Sequence, residues 1–243
     1  MPDFPIPGYI TILDPDPIEG TALDDVLNGT SGSEIMLGHL GNDTLRGNGS
    51  ADHLDGGEGA DLMIGGTGND TYKVDNPKDR VIEWSNGGTN DWVVTTTHNT
   101  DHYRTDEDLP PDVAFQPNYF YTLPQFVENL RLVGENATRA IGNDLDNYIM
   151  GNEFNNWLQG GGGEDTLFGS KGNDVYTVDS EGDRIYELAG EGDRDRVVSY
   201  LDNYRLADNV EYASLGGDGD LSITGNDLDT SHYGKAGANT YYD

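Results

Sequence analysis

The feature that most constrains this chain is a nine-residue repeat that begins at Gly20. Six units follow one another without a slip as far as Lys73: GTALDDVLN, GTSGSEIML, GHLGNDTLR, GNGSADHLD, GGEGADLMI and GGTGNDTYK. The sixth position is acidic in every unit, and the eighth position is large and apolar in every unit. A short fixed period of this kind indicates a solenoid, because one unit alone cannot bury its apolar residue.

The same period returns twice more along the chain. A second block covers 142–177, and a degenerate third block begins at Gly225, with Thr230 and Asn239 at its sixth positions. The stretches between the blocks also repeat, since 74–94 matches 178–198 at an offset of 104 residues and 121–132 matches 204–215 at an offset of 83. The two offsets differ by 21 residues, which locates an insertion within about 97–119 of the first copy.

These repeats predict six regions. They are an N-terminal arm (1–19), a first nonapeptide block (20–73), a β spacer with the inserted loop (74–141), a second block (142–177), a second β spacer (178–224) and the degenerate third block (225–243). The spacers are rich in Val, Tyr and Trp and alternate apolar with polar residues, which favours strands. No segment has the periodicity of an amphipathic helix.

Composition excludes several classes of function. The formal net charge is −32, with 45 acidic and 13 basic residues, so the chain repels itself and repels nucleic acid and anionic membranes. It contains no Cys, which excludes disulfides and thiolate metal sites. No apolar run is long enough to span a membrane, and the N-terminal sequence does not resemble a classical signal peptide. We therefore expect a cation to be part of the working fold.

The chemistry of one unit indicates which cation this is. Its Gly-rich first six residues favour a tight turn, and its last three a short strand with position eight pointing inward. If two units make one coil, alternate units stack, so Asp43 lies against Asp61 and Asp52 against Asp70. Carboxylates and turn carbonyls then form an oxygen cage, which suits Ca²⁺ better than Mg²⁺ and lacks the Cys and His that Zn²⁺ prefers. A metal-free solenoid held by side-chain ladders is the alternative.

The units GGEGADLMI and GGTGNDTYK match the pattern G-G-x-G-x-D-x-U-x, with U large and apolar, at every specified position. The chain thus resembles the RTX, or haemolysin-type, calcium-binding repeat family. The resemblance implies an all-β fold, a parallel β-roll or β-solenoid with Ca²⁺ as cofactor in its Gly-rich turns. It also implies an extracellular protein, secreted or at the cell surface, that leaves by type I secretion with an uncleaved C-terminal signal.

The predicted metal ligands are the sixth-position residues and the turn glycines. We expect the strongest binding at the pairs Asp43/Asp61 and Asp52/Asp70, followed by Asp165 and Asp174, whereas Thr230 and Asn239 belong to weak turns. The remaining candidates are Glu34, Asp25, Asn147, Asn156, Gly38, Gly41, Gly56, Gly57, Gly59, Gly65, Gly66, Gly68, Gly160, Gly161, Gly163 and Gly172. Leu23 and Ser50 replace the fourth-position Gly, which casts doubt on sites that use those two turns.

No motif indicates catalysis, since neither H-E-x-x-H nor G-x-S-x-G occurs, and we predict that the chain is not an enzyme. His98, Asp101 and His102 could form a small metal site in the insert, although a solvated loop is the more common arrangement. Trp84, Trp92 and Trp157 could stack on sugar rings, although their strand-like surroundings favour packing within the protein.

The expected function is that of an extracellular structural protein that folds when it binds Ca²⁺ and self-assembles at a surface or in a matrix. Self-association would use the N-terminal arm, which contains a candidate strand at 9–13, and an open solenoid end. The alternative is a non-catalytic calcium-binding module of a secreted polysaccharide-active enzyme or an adhesin, with a polysaccharide as partner.

Overall fold

The computed structural model describes residues 16–97, 120–135, 138–217, 221–228, 231–234 and 240–242. In these ranges every regular element is a β-strand, so they contain no helix that could span a membrane. They form two compact units, residues 1–94 with 124–127 and residues 95–123 with 128–243. The predicted metal site of His98, Asp101 and His102, the inserted loop after Thr97, residues 1–15 of the arm, Thr230 and Asn239 lie outside the described residues.

The described residues of the first unit contain nine strands, of which the last extends one residue beyond it: β1 (Ile18–Glu19), β2 (Val26–Asn28), β3 (Ile35–Leu37), β4 (Thr44–Gly49), β5 (His53–Asp55), β6 (Leu62–Thr67), β7 (Thr71–Val74), β8 (Arg80–Ile82) and β9 (Trp92–Thr95). Odd-numbered strands pair in the order β1-β3-β5-β7-β9 and even-numbered strands in the order β2-β4-β6-β8. The pairings from β1 to β7 and from β2 to β8 are all parallel. The chain therefore crosses from one sheet to the other after every nonapeptide.

The second unit contains the other fourteen strands: β10 (Tyr121–Thr122), β11 (Asn129–Leu132), β12 (Arg139–Ile141), β13 (Tyr148–Met150), β14 (Trp157–Gln159), β15 (Thr166–Phe168), β16 (Val175–Val178), β17 (Arg184–Tyr186), β18 (Arg196–Ser199), β19 (Tyr204–Arg205), β20 (Tyr212–Leu215), β21 (Ser222–Thr224), β22 (Ser231–Gly234) and β23 (Thr240–Tyr242). They form parallel runs in the orders β11-β13-β15-β17, β10-β12-β14-β16-β18-β20-β22 and β19-β21-β23. The predicted all-parallel β-solenoid, an RTX-type β-roll, is confirmed.

The register in which the strands pair follows from the nine-residue period. Met36 pairs with Leu54 and Leu54 with Tyr72, while Leu45 pairs with Met63, so partners lie 18 residues apart and two units make one coil. In several strands of three residues only the middle side chain points inward, which gives the recurring pattern of a buried residue between two half-buried ones. Within the blocks, the position-eight residues of these and the neighbouring strands have no exposed surface: Met36, Leu45, Leu54, Met63, Tyr72, Ile149, Leu158, Leu167 and Tyr176.

The two turns that lack the fourth-position Gly behave differently. Ser50 adopts φ +68°, the left-handed conformation that Gly59 and Gly68 adopt in the equivalent turns, and its hydroxyl donates to the Ser31 carbonyl at 2.9 Å. Leu23 does not adopt a positive φ, and its side chain is 73% exposed. The substitution is therefore accommodated in the turn of Ser50, whereas the first turn of the block departs from the repeat geometry.

The spacers contain strands, but the prediction that all three Trp residues pack within the protein was wrong for one of them. Trp92 and Trp157 are buried, and Trp157 packs against Val175 and Val198 while its indole N–H donates to Thr177 Oγ1 at 2.9 Å. Trp84 is instead 53% exposed, because it follows the end of β8 and lies in a turn rather than in a strand. The alternation of apolar and polar residues from Ile82 to Trp84 is typical of a strand, but the strand itself ends at Ile82.

Candidate metal-binding site

In the turns of each unit, Asp side chains accept hydrogen bonds from the backbone of the preceding coil. We call these residues the carboxylate ladder: Asp43, Asp52, Asp61, Asp70, Asp165 and Asp174. The backbone N–H of Asp43 donates to Oδ1 of Asp61 at 2.7 Å, and that of Asp52 donates to Oδ1 of Asp70 at 2.8 Å. The structure thus brings together the two pairs that the sequence placed one above the other. Each Asp uses one oxygen to hold the backbone of the preceding coil, which satisfies a buried amide that the short strands cannot reach.

The second oxygen of these carboxylates has no such partner. Oδ2 is buried and accepts no hydrogen bond in six of the predicted ligands, whose side chains are at most 1% exposed: Asp43, Asp52, Asp61, Asp70, Asp165 and Asp174. An ionised oxygen buried without a partner is strongly unfavourable. These six positions therefore require either a proton or a cation.

The first glycine of each unit provides room for that cation. A Cβ added to Gly38 would collide with Oδ2 of Asp43 and with the carbonyl oxygen of Gly56, which lies one coil further on. At Gly47 the same collision involves Oδ2 of Asp52 and the carbonyl oxygen of Gly65. The unpartnered oxygen therefore faces a cradle that a carbonyl and a carboxylate oxygen share, a donor set that suits a hard cation such as Ca²⁺.

The predicted glycines divide into two groups with different roles. Gly38, Gly56, Gly65 and Gly160 lie beside an Oδ2 atom, and an added Cβ would displace it. The others shape the turns with a positive φ: Gly41, Gly57, Gly59, Gly66, Gly68, Gly161, Gly163 and Gly172. Ca²⁺ coordination by any of them stays a prediction, but the two groups are distinct in the structure.

Four other predicted ligands differ, because their own turn already occupies the side-chain oxygen. Asp25 Oδ2 accepts from the Thr21 N–H at 2.6 Å, and Glu34 Oε2 accepts from the Thr30 N–H at 3.0 Å. Asn147 Oδ1 accepts from the Asn143 N–H and Asn156 Oδ1 from the Asn152 N–H, both at 2.7 Å. These four positions satisfy their turns through hydrogen bonds, so they depend less on a cation than the six Asp residues do.

Burial raises the pKa values of the carboxylate ladder. Desolvation is the largest cause in each case, and it raises the pKa of Asp61 and Asp70 to about 6, of Asp52 and Asp165 to about 7 and of Asp174 to about 8. The hydrogen bond from the preceding backbone N–H lowers each pKa but does not offset the burial. Protons and cations therefore compete for the same oxygens near neutral pH.

Sequence reasoning missed the continuation of the ladder into the spacers. Asp61 N–H donates to Asp79 Oδ1 at 3.0 Å and Asp165 N–H to Asp183 Oδ1 at 3.1 Å, again 18 residues apart. Asp70 N–H donates to Asp91 Oδ1 at 2.7 Å, and Asp174 N–H to Asp195 Oδ1 at 2.8 Å, over 21 residues. The Asp-Arg dipeptides at 79–80 and 183–184 keep the period and could have been found, whereas the longer spacing hides Asp91 and Asp195.

Comparison with known proteins gives one match. The family model described as RTX calcium-binding nonapeptide repeat (4 copies) matches residues 14–45, 37–72 and 141–176. These ranges contain the six Asp residues with unpartnered oxygens. No curated protein and no solved structure matches the chain significantly.

Asp61→Ala is expected to lower the free energy of unfolding in saturating Ca²⁺ by about 1–3 kcal/mol, because it removes the acceptor for Asp43 N–H and an oxygen beside Gly56. The matched control is Asp227→Ala, at an exposed turn residue, with an expected change within about 0.5 kcal/mol. Urea unfolding followed by circular dichroism measures both. Equal costs would contradict the assignment of Asp61 to a metal site.

In chelator, the fold is expected to be more stable at about pH 5 than at about pH 8. The folded pKa values of Asp52 and Asp165, about 7, exceed the unfolded ones, so the folded state retains protons that the unfolded state has released. This stability is complete below the unfolded pKa and is lost as the pH rises through the folded pKa. The folded fraction in chelator, measured by far-UV circular dichroism across this range, tests the trend, and saturating Ca²⁺ should abolish it, because Ca²⁺ binds the deprotonated form. A folded fraction in chelator that rises with pH would contradict it.

Proposed function

Because the nonapeptide blocks of this chain are RTX calcium-binding repeats that bind Ca²⁺, we propose that it is an extracellular structural protein that folds on calcium binding. The observation that carries the proposal is the row of buried Oδ2 atoms without partners at Asp43, Asp52, Asp61 and Asp70. Stacked bare carboxylates oppose the coil that their other oxygens hold together. Ca²⁺ reverses that balance and couples binding to folding.

Secretion is compatible with folding that depends on Ca²⁺. RTX repeat proteins are typically secreted by the type I route. With a net charge of −32 the chain repels itself wherever free Ca²⁺ is scarce, and it gains its counter-ions only where free Ca²⁺ is abundant. The low calcium of a cell interior thus favours an unfolded chain during export, and the external medium favours the β-roll.

The first test is a calcium titration. We expect a largely disordered chain in chelator and β-structure in millimolar Ca²⁺, because each bound ion neutralises stacked carboxylates that otherwise oppose the fold. Far-UV circular dichroism measures the transition. Mg²⁺ at the same concentration is the matched control and should induce much less structure, since it prefers a tight octahedron and retains its waters. A spectrum that does not change across the titration would rule the proposal out.

The structural role that we propose includes association between copies of this chain. β1 and β2 are the outer strands of the two sheets in the first unit, and among the described residues none pairs with their outer edges. The side chains of Leu23 and Val26 at this coil are 73% and 63% exposed. An edge strand with exposed apolar side chains favours the addition of a strand from a second copy.

Charged residues at this edge should prevent assembly. We expect the wild-type protein in Ca²⁺ to form filaments or sheets and Leu23→Lys with Val26→Lys to remain monomeric, because an edge Lys opposes strand addition. Leu188→Lys is the control, since Leu188 is 56% exposed in the second unit. Electron microscopy and light scattering measure both. Monodisperse wild-type particles in Ca²⁺ would exclude a self-assembling role.

Surface aromatic residues favour one alternative, a non-catalytic polysaccharide-binding module. Trp84 is 53% exposed, and in the second unit Tyr148, Phe168 and Tyr186 form a strip with ring centroids 4.9 and 4.8 Å apart. Flat aromatic surfaces can stack on the apolar faces of sugars. Monomers in Ca²⁺ that are retarded by an immobilised polysaccharide would select this alternative. RTX repeats are a calcium-binding structural motif rather than a catalytic one, which is consistent with either role.

A further inference from the structure

At the end of each nonapeptide block the carboxylate ladder gains a residue that the repeats do not have. Oxygens of Asp70, Glu83 and Asp91 all lie within 4.8 Å of one another in the first unit. The corresponding oxygens of Asp174, Glu187 and Asp195 meet the same criterion in the second unit, and all six residues are buried. We call these two groups the block-end triads.

The position of the glutamate explains how each triad arises from the repeat. In the coils within a block, the cradle beside the first glycine is completed by the carbonyl of a glycine 18 residues later, as Gly65 completes the cradle of Gly47. Eighteen residues after Gly65 the chain has Glu83, and a Cβ added to Gly65 would collide with its Oε1, with Asp70 Oδ2 and with the Tyr72 hydroxyl. A charged carboxylate oxygen therefore takes the place of a neutral carbonyl. Glu187 does the same beside Gly169.

A second observation shows that these oxygens lack a partner. Asp70 Oδ2, Asp174 Oδ2 and Glu187 Oε2 are buried and accept no hydrogen bond, and their residues are 0%, 0% and 7% exposed. Unpartnered oxygens at this depth that belong to one cluster point to a multivalent cation as their ligand. Glu83 Oε2 differs from Glu187 Oε2, because it accepts from the Trp84 N–H at 3.1 Å. The cluster of three carboxylates occurs in both units, so it is a built feature of the block end.

A tyrosine at position eight holds the glutamate in place. The hydroxyl of Tyr72 donates to Glu83 Oε1, and the hydroxyl of Tyr176 donates to Glu187 Oε1. Among the described units of the two blocks, these two are the ones with Tyr at position eight, and each Tyr follows the first Asp of its triad by two residues. Tyr72 and Tyr176 are therefore positioning residues, because they fix Oε1 of the glutamate beside Oδ2 of that Asp.

We propose that each block ends in a tricarboxylate Ca²⁺ site of its own, formed by Asp70, Glu83 and Asp91 and by Asp174, Glu187 and Asp195. Three carboxylates bring a formal charge of −3 into one buried cluster, more than a repeat turn with one unpartnered oxygen and a carbonyl. A hard divalent cation with a flexible oxygen shell fits this donor set. The higher charge makes these two sites bind Ca²⁺ more tightly than the repeat turns. The proposal rests on the calcium-dependent fold proposed above.

The test counts bound calcium in the full chain. Glu83→Gln with Glu187→Gln keeps the shape of both side chains and removes their charge, and Glu58→Gln with Glu181→Gln is the matched control at exposed glutamates. Dialysis against fixed free Ca²⁺ followed by elemental analysis gives the ions per chain. We expect the triad variant to bind two fewer ions than the control at low free Ca²⁺, one for each triad.

Each outcome decides the proposal. Two fewer ions in a variant that still folds at saturating Ca²⁺ support it, and equal numbers in both variants overturn it while leaving calcium-dependent folding intact. A wild-type chain that binds no calcium would contradict the proposed function itself. If the triad variant does not fold, Tyr72→Phe with Tyr176→Phe decides. This variant keeps the buried rings and should weaken the two tightest sites about tenfold, and an unchanged binding isotherm overturns the proposal.

Discussion

The structure depends on one arrangement. A buried carboxylate accepts a hydrogen bond from the backbone of the preceding coil, and its charge repels the carboxylate of that coil. Asp61 accepts the backbone N–H of Asp43 through Oδ1, and its Oδ2 is left bare in the same low-dielectric turn. The hydrogen bond orders the stack of coils, whereas the bare oxygens of successive coils oppose it. In the three-residue strands of the blocks the core is thin, which agrees with the proposed dependence of folding on a cation.

This dependence is not uniform along a block. The first coil of each block has sixth-position residues whose side-chain oxygens are engaged by their own turns, Asp25 and Glu34 in the first unit and Asn147 and Asn156 in the second. Asp residues with bare oxygens follow, and the triad with Glu83 or Glu187 comes last. The number of unpartnered carboxylate oxygens therefore rises from the start of a block to its end, so that each block joins a coil satisfied by hydrogen bonds to coils that, under the proposed function, depend on Ca²⁺.

The periodic part of this design could be predicted from the sequence, because it follows from counting. A period of nine residues and two units per coil place Asp43 under Asp61 and turn Leu54 inward without any knowledge of side-chain packing. The block ends could not be found this way. The coil after Asp70 takes 21 residues instead of 18, so Asp91 falls out of phase, and the bond between Tyr72 and Glu83 depends on where a spacer side chain turns back. Trp84 was placed wrongly for the same reason, since local alternation does not reveal where a strand ends.

The spacers therefore do more than connect the blocks, because they supply two carboxylates to each block-end triad. The offset of 104 residues that relates the two spacers also carries Tyr72, Glu83 and Asp91 onto Tyr176, Glu187 and Asp195. All of the first group belong to one unit and all of the second to the other. A unit thus contains its own core, its own ladder and its own block-end triad. The feature that repeats at this longer period is a β-roll with its own acidic cluster, and the spacer supplies the glutamate that a nonapeptide alone does not provide.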